Sequence, residues 1–313
     1  MTNASSLDAA GSSRRLFDIN YHRRQTLLSF ALLIPAALAV LLLIVYPLYQ
    51  VVEISFRDGK LMNFARIGEL PLGLGNYARV LGDPLFWRAT LNSTLYVGGS
   101  VGGAFLVGLA TALLLNRELP GTRILRTIVL VPWAVPGVIV AIMFLWILDG
   151  SFGVFNSILR ATGLLSGEMP WFVDARTALV AVIIPTIWKT YPLITLTLLA
   201  ALQSIPRELY EAANVDGATK LQQFGYITWP GIQGASFLVV MISALGVFRD
   251  VDIVFATTGG GPANATETLA LYVYKEAFHY FRMGAATAVG TLMICAAFLI
   301  AATLAALSRN SKF

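Results

Sequence analysis

The sequence predicts an all-α integral membrane protein with six transmembrane helices. Of its 313 residues, 57% are hydrophobic and only 12% are charged, about half the charged share of a typical soluble domain. Six windows with almost no charge each reach the ~20 apolar residues that a helix needs to span a bilayer. The alternation of apolar and polar residues that a membrane β-barrel requires is absent. We therefore predict spans at residues 27–50, 89–115, 127–148, 177–201, 231–256 and 283–307.

The first span is predicted to be retained, because no small-residue cleavage site follows it. It separates a cytoplasmic N-terminal arm, residues 1–26, from a six-span domain, residues 27–313. Arginines are dense beside the first span and between the second and third, which favours the cytoplasmic side for both places. These arginines are Arg14, Arg15, Arg23, Arg24, Arg117, Arg123 and Arg126. A plain count of Lys and Arg separates the two sides only weakly, so density near the span ends is what predicts that both termini are cytoplasmic.

The second, third and fourth spans carry small residues or prolines. Two overlapping small-xxx-small patterns in the second span allow another helix to approach closely; they comprise Gly98, Gly99, Gly102 and Gly103. Prolines interrupt the third span at residues 132–137 and the fourth at residues 188–192. Proline leaves backbone carbonyls unpaired, which a membrane tolerates only beside protein or a water-filled cavity.

Residues 202–230 form a polar segment between the fourth and fifth spans. Pro206 can start a helix, Glu208 suits the positive end of its dipole, and Gly217 supplies a stop. A second short helix is predicted from Thr219 to Ile227, ending before Pro230. Two short helices that meet at a glycine form a compact, protruding knob. The alternative is a helix that lies passively on the membrane, which would carry more Lys and Arg on its polar face.

This segment resembles the EAA loop of the membrane subunits of bacterial ATP-binding-cassette (ABC) importers. The likeness rests on the spacing from Glu211-Ala212-Ala213 to Gly217, Ile227 and Pro230, although Trp229 stands where leucine is usual. It extends from about Leu119 to Gly284 and is strongest to the carbohydrate-uptake branch, including the maltose importers. The resemblance implies the type I ABC importer permease fold. It also implies a function: import of a sugar or sugar-like solute, such as an oligosaccharide, glycoside or polyol.

The resemblance implies partners and cofactors outside this chain. A dimer of cytoplasmic ATPase subunits would bind ATP and Mg, and the chain itself would hold no cofactor and catalyse no reaction. The loop would dock on those subunits through Glu211, Ala212, Ala213, Asp216, Gly217, Ile227 and Pro230. A second permease subunit, related but different, and a periplasmic or lipid-anchored solute-binding protein would complete the importer in the bacterial inner membrane. Membrane lipid surrounds such a chain, and its net charge of +5 needs no nucleic acid partner.

Likeness to maltose-importing members places substrate contacts in the third, fourth and fifth spans. The candidates are Trp133, Gly137, Trp188, Tyr191, Ser243, Gly246, Val247 and Asp250. The last four follow the spacing i, i+3, i+4, i+7 and share one helical face. Trp188 and Tyr191 share a face of the fourth span. Aromatic faces with hydroxyls and carboxylates suit a sugar ring, and the small residues among the candidates lead us to expect a ligand other than maltose.

Several alternatives remain open at this level. Asp250 is costly inside a span and is either a ligand for substrate or a partner of Arg249 or of a neighbouring subunit. Arg249 and Asp252 could pair with each other, and Lys189 lies away from Tyr191 on an ideal helix, which leaves an anionic substrate open. An ion-coupled secondary sugar transporter is the alternative class. A membrane enzyme is least favoured, because His22 and His279 lie outside the spans and no metal-ligand spacing is present.

Overall fold

The computed structural model describes residues 32–59, 66–117 and 120–310. The predicted N-terminal arm and residues 27–31 of the first span lie outside the described residues. Contacts divide the chain into two units, Met1–Glu53 and Ile54–Phe313, and the fold below is that of the second unit unless α1 is named.

The described residues are almost entirely helical, with one isolated β-bridge between Arg57 and Leu72. Three helical stretches contain π-helical turns, at Leu41–Val45, Phe224–Thr228 and Lys275–His279. The helices, in chain order, are α1 (Leu32–Ser55), α2 (Gly75–Gly82), α3 (Pro84–Leu115), α4 (Thr122–Ala134), α5 (Gly137–Ile147), α6 (Val154–Ala161), α7 (Ala178–Gln203), α8 (Arg207–Val215), α9 (Lys220–Arg249), α10 (Asp252–Thr257), α11 (Leu269–Tyr274) and α12 (Met283–Asn310).

Five of these helices are long and apolar enough to cross a membrane: α1, α3, α7, α9 and α12. The sixth candidate is a pair, α4 and α5, whose axes meet at 98° across a short break. Counting the pair as one span gives six, which confirms the predicted all-α, six-span architecture. The side of the membrane on which each terminus lies stays a prediction.

The break in the third span follows from its two prolines. Val135, the residue before Pro136, has φ −78° and ψ 131°, since the proline ring excludes the α conformation from the preceding residue. Pro136 then caps the start of α5 with φ −56° and ψ 141°. The irregular backbone that the sequence predicts at residues 132–137 is thus confirmed, and it turns the chain sharply between α4 and α5.

Helices α3 and α7 form the central pair of the fold, and glycines bring them close. A Cβ atom at Gly99 would lie 2.9 Å from Cδ1 of Ile183, and one at Gly103 would lie 2.4 Å from Cδ1 of Ile187. A Cβ at Gly98 or Gly102 would meet no atom within 4 Å. The predicted close packing is therefore confirmed for one of the two small-residue rows, which faces α7.

The predicted second short helix of the loop is wrong. Residues Lys220–Arg249 form one continuous helix of 30 residues instead of ending before Pro230. The π-helical turn at Phe224–Thr228 accommodates Pro230 within the helix. In this turn the N–H of Trp229 donates to the carbonyl of Phe224, five residues earlier. Such a bulge tolerates a missing donor in the next turn, so the helix passes from the knob into the membrane without a stop.

The connection between α10 and α11 is organised by a buried carboxylate. Glu267 is fully buried and pairs with Lys275, with Oε2 and Nζ 2.5 Å apart. The side-chain amide of Asn92 donates to the carbonyl oxygens of Asn264 and Glu267, at 3.1 and 3.0 Å. These contacts hold residues 264–267 against α3.

Replacement of Glu267 by glutamine is expected to change how stability depends on pH. Burial raises the pKa of this carboxyl above its ordinary value, and the hydrogen bond from Lys275 opposes part of that shift. A raised folded-state pKa means that the contribution to stability is complete below the ordinary pKa and is lost as pH rises through the raised value. Thermal unfolding at stepped pH should show a flatter profile for Glu267→Gln across that window. An unchanged profile would contradict the assignment, and the exposed Glu168→Gln serves as control.

Candidate functional site

The knob is formed by α8 and the first turns of α9. Helix α8 ends in a Schellman motif, in which the N–H of Ala218 donates to the carbonyl of Ala213 at 2.9 Å and that of Gly217 to Asn214 at 3.1 Å. Gly217 has φ +75°, the left-handed conformation that glycine adopts without strain. The predicted stop at Gly217 is therefore confirmed, and it reverses the chain between the two helical arms.

Side chains lock the two arms of the knob together. The amide of Gln223, which is buried, donates to Oδ1 of Asn214 at 2.7 Å. The hydroxyls of Tyr210 and Thr228 lie 3.0 Å apart. Thr219 caps α9 in a capping box with Gln222, which satisfies free backbone donors at the helix start. The knob is thus a preformed element rather than a loose loop.

The surface of the knob carries most of the residues predicted to contact an ATPase subunit. Glu211, Ala212, Asp216, Gly217 and Pro230 are exposed, whereas Ala213 and Ile227 are half-buried. Among the interactions of the described residues, none involves the side chain of Glu211. Sequence reasoning assigned no contact role to an apolar set beside them, whose signal is large apolar side chains inside a polar segment. The set comprises Leu209, Val215, Leu221 and Tyr226, exposed by 50%, 88%, 82% and 83%.

A second candidate site is a cavity of about 290 Å³ between α4, α7 and α9. It is lined by Trp133, Thr186, Lys189, Thr190, Leu193, Ile242, Ser243, Gly246, Val247, Arg249 and Asp250. The structure thus brings together five of the eight predicted substrate contacts. All four predicted residues of the fifth span lie along it, together with Trp133 from the end of α4.

The fourth span presents a different face to the cavity from the one predicted. The lining residues from α7 are Thr186, Lys189, Thr190 and Leu193, which themselves follow i, i+3, i+4, i+7. Trp188 packs on Phe144 instead, with ring centroids 5.8 Å apart, and Tyr191 packs against the core between α3 and α7. Their roles as substrate contacts stay predictions, and the structure gives them packing roles.

Gly137 lies under the start of α10 rather than in the cavity wall. A Cβ atom there would come within 2.9 Å of Cβ of Asp252, so glycine is what lets α10 pack against α5. Its predicted contact with substrate stays a prediction. The predicted pairing of Arg249 with Asp252 is not among the salt bridges of the described residues, and Arg249 is exposed.

The polar groups of the cavity are only partly satisfied within the chain. Nζ of Lys189 donates to the carbonyl oxygen of Val135 at 2.6 Å, at the break of the third span. Oδ1 of Asp250 accepts the N–H of Asp252 at 3.0 Å. Ser243 is 4% exposed, and its hydroxyl has no hydrogen-bond partner in the described part of the chain. A buried, unpaired hydroxyl costs free energy, which a polar ligand in the cavity would offset.

The knob and the segment 148–177 lie at opposite ends of the same helix. Helix α7 has 26 residues, a length of about 39 Å at ~1.5 Å per residue. Residues 148–177 precede it and the knob follows it. A bundle of membrane-spanning helices with a polar cavity, a broken span and a rigid knob at one end defines a multi-pass transport protein.

Comparison with known proteins gives the family. Residues 104–311 match the family described as binding-protein-dependent transport system inner membrane component. The chain belongs to this family and is a permease of a binding-protein-dependent ABC system. This family favours the ABC importer over an ion-coupled secondary transporter.

Relatives in sequence and in fold agree with this assignment. The chain is 34% identical to the sulfoquinovosyl glycerol transport system permease protein SmoG of Agrobacterium fabrum, over 88% of each chain. It is 36% identical to the trehalose/maltose transport system permease protein MalF of Thermococcus litoralis, over 83% of this chain and 85% of the relative. A solved bacterial ABC transporter involved in import of the acidic polysaccharide alginate shares the fold, with a TM-score of 0.73 at 24% identity, over 95% of this chain and 99% of that chain.

Proposed function

We propose that this chain moves a sugar or sugar-like solute, such as an oligosaccharide, glycoside or polyol, through the bacterial inner membrane. The observation that carries the proposal is the cavity, whose wall combines the side chain of Trp133 with a hydroxyl, a carboxylate and an ammonium group. A sugar ring has an apolar face that stacks on an aromatic ring and a rim of hydroxyls that hydrogen-bond. Relatives named for sulfoquinovosyl glycerol, trehalose/maltose and diacetylchitobiose support this solute class.

The energy for transport comes from partners under this proposal. A dimer of cytoplasmic ATPase subunits binds ATP and Mg and receives the knob through Glu211, Gly217 and their exposed neighbours. A second, related permease subunit closes the transport path, and a periplasmic or lipid-anchored solute-binding protein delivers the solute. Each ligand shifts the balance of inward- and outward-facing states only by its differential affinity for them.

Uptake into proteoliposomes tests the proposal. The complete importer should accumulate one or more of maltose, trehalose, diacetylchitobiose and simple polyols only when ATP is present on the side of the knob. Trp133→Ala and Asp250→Ala should each reduce uptake by roughly tenfold or more, the cost of one strong polar or aromatic contact. Subunit assembly should persist in both.

Trp146→Ala is the matched control for the tryptophan variant, because Trp146 is 71% exposed on α5 and does not line the cavity. Accumulation that proceeds without ATP would refute the importer. Normal uptake in both cavity variants would refute the site.

A further inference from the structure

Lys189 is the cavity residue whose position has no explanation in packing alone. It lies in the middle of α7, and a cation inside a membrane span is costly and usually functional. Its ammonium has three N–H donors, of which one goes to the carbonyl of Val135 at 2.6 Å. That contact fixes the ammonium at the break of the third span and leaves two donors for the cavity.

Asp250 offers the complementary group in the same cavity. One of its oxygens accepts the N–H of Asp252 at 3.0 Å, and a carboxylate can accept further hydrogen bonds. Lys189 and Asp250 line the same 290 Å³ space, yet no salt bridge of the described residues joins them. A charged donor and a charged acceptor therefore face the cavity without neutralising each other by direct contact.

We propose that Lys189 is a specificity-determining residue that, together with Asp250, binds a hydroxyl group of a neutral polyhydroxylated solute. The ammonium donates to the hydroxyl oxygen, and the hydroxyl donates to the carboxylate. This inference rests on the proposed function and narrows its substrate class. Ser243 lies on the same wall as Asp250, and its buried hydroxyl has no hydrogen-bond partner among the described residues.

Lys189 and Asp250 together distinguish a hydroxyl group of the solute from an acidic group. A hydroxyl both donates and accepts, so it satisfies Lys189 and Asp250 at once. A carboxylate only accepts, so it would offer Asp250 no further donor and would bring a like charge close to it. Arg249 also lines the cavity, but its side chain is exposed and also borders a second, largely apolar pocket between α9, α11 and α12. We therefore assign the contact with the solute hydroxyl to Lys189 and Asp250.

Competing uptake of matched sugars tests the inference. Proteoliposomes with the complete importer receive each neutral disaccharide, maltose, trehalose or diacetylchitobiose, and its counterpart with one primary alcohol oxidised to a carboxylate. The wild type should prefer the neutral member. Asp250→Asn should reduce that preference by roughly ten- to hundredfold, the range for hydrogen bonds to charged groups. Because every variant works with the same binding protein, a changed ratio reports the permease.

Further variants separate recognition from folding. Lys189→Met should raise the KM for the neutral sugar roughly tenfold, with assembly retained, and Lys189→Arg should restore part of the loss. Asp250→Glu keeps the charge and should keep the preference. Asp174→Asn is the matched control, because Asp174 makes the same contact to the N–H two residues on, at 2.9 Å, outside the cavity.

Failure of this inference and failure of the proposed function give different results. A wild-type importer that takes the acidic sugars as well as the neutral ones, or an unchanged ratio in Asp250→Asn, overturns this inference and leaves the proposed function standing. An importer that takes no sugar of either kind refutes the proposed function itself.

Discussion

Replacing Glu211 by arginine is expected to abolish ATP-driven uptake while the permease still folds and inserts. Glu211 is exposed on α8, and its side chain makes no interaction with the other described residues, so its loss removes nothing that holds the knob together. A bulky, oppositely charged side chain in the docking surface should weaken binding of the ATPase subunits by ~2 kcal/mol or more, the size of an interface hot spot. That is about thirtyfold in affinity.

Two measurements check this outcome. Co-purification should show less ATPase subunit bound to the Glu211→Arg permease, and solute-stimulated ATP hydrolysis should fall with it. Glu208→Arg is the control, because Glu208 lies on the same helix and is also exposed but is outside the predicted contact set. Loss of uptake in Glu208→Arg alone, or full activity in Glu211→Arg, would contradict docking through this face.

The membrane-spanning architecture was predictable because it depends on composition and length. Uninterrupted apolar windows identify spans regardless of how they pack, and prolines at residues 132 and 136 identify the break. The continuity of α9 was not predictable in the same way. Pro230 is a helix-stopping signal in the sequence, and only the π-helical turn at Phe224–Thr228 shows how the helix continues past it.

The cavity was predictable on the side of the fifth span, where the spacing of residues along the helix identifies the wall. The spacing of Ser243, Gly246, Val247 and Asp250 fixes a common face, and small and polar residues on that face indicate that it borders open space. In the fourth span, the spacing equally allows the face of Trp188 and Tyr191 and the face of Lys189. Which face turns inward depends on α3 and α5, where Trp188 and Tyr191 find apolar partners. Periodicity alone carries no information about those neighbours.

Helix α9 physically links the two candidate sites. It begins in the knob at Lys220, runs for 30 residues, about 45 Å at ~1.5 Å per residue, and ends at Arg249 in the cavity wall. A continuous helix transmits a tilt at one end to the other, whereas two helices separated by a flexible turn would not. The π-helical turn that sequence reasoning missed is therefore the feature that keeps the knob and the cavity wall on one continuous helix.

Substitution of Gly108 by valine is expected to disrupt the central helix pair and, with it, stability and transport. Helix α3 meets α7 at this glycine, where a Cβ atom would lie 2.8 Å from Cγ2 and 3.0 Å from Cβ of Ile194, and 3.2 Å from the carbonyl oxygen of Tyr191. Two of these atoms, the Ile194 Cβ and the carbonyl oxygen, cannot rotate away, so the helices themselves must separate. Overpacking of this kind costs about 1–3 kcal/mol, and more where backbone must move.

The comparison with Gly102 isolates the cause. Gly102 lies in the same helix, but a Cβ atom there meets nothing within 4 Å, so Gly102→Val tests the loss of glycine from a transmembrane helix without the clash. The thermal unfolding temperature of the purified permease should fall markedly for Gly108→Val and little for Gly102→Val. Because Ile194 is fully buried in the same cluster as Leu198 and Ile232, separation there opens the contact that aligns α7 with α9. Equal stability of the two variants would mean that the close approach of α3 to α7 does not hold the cavity walls in place.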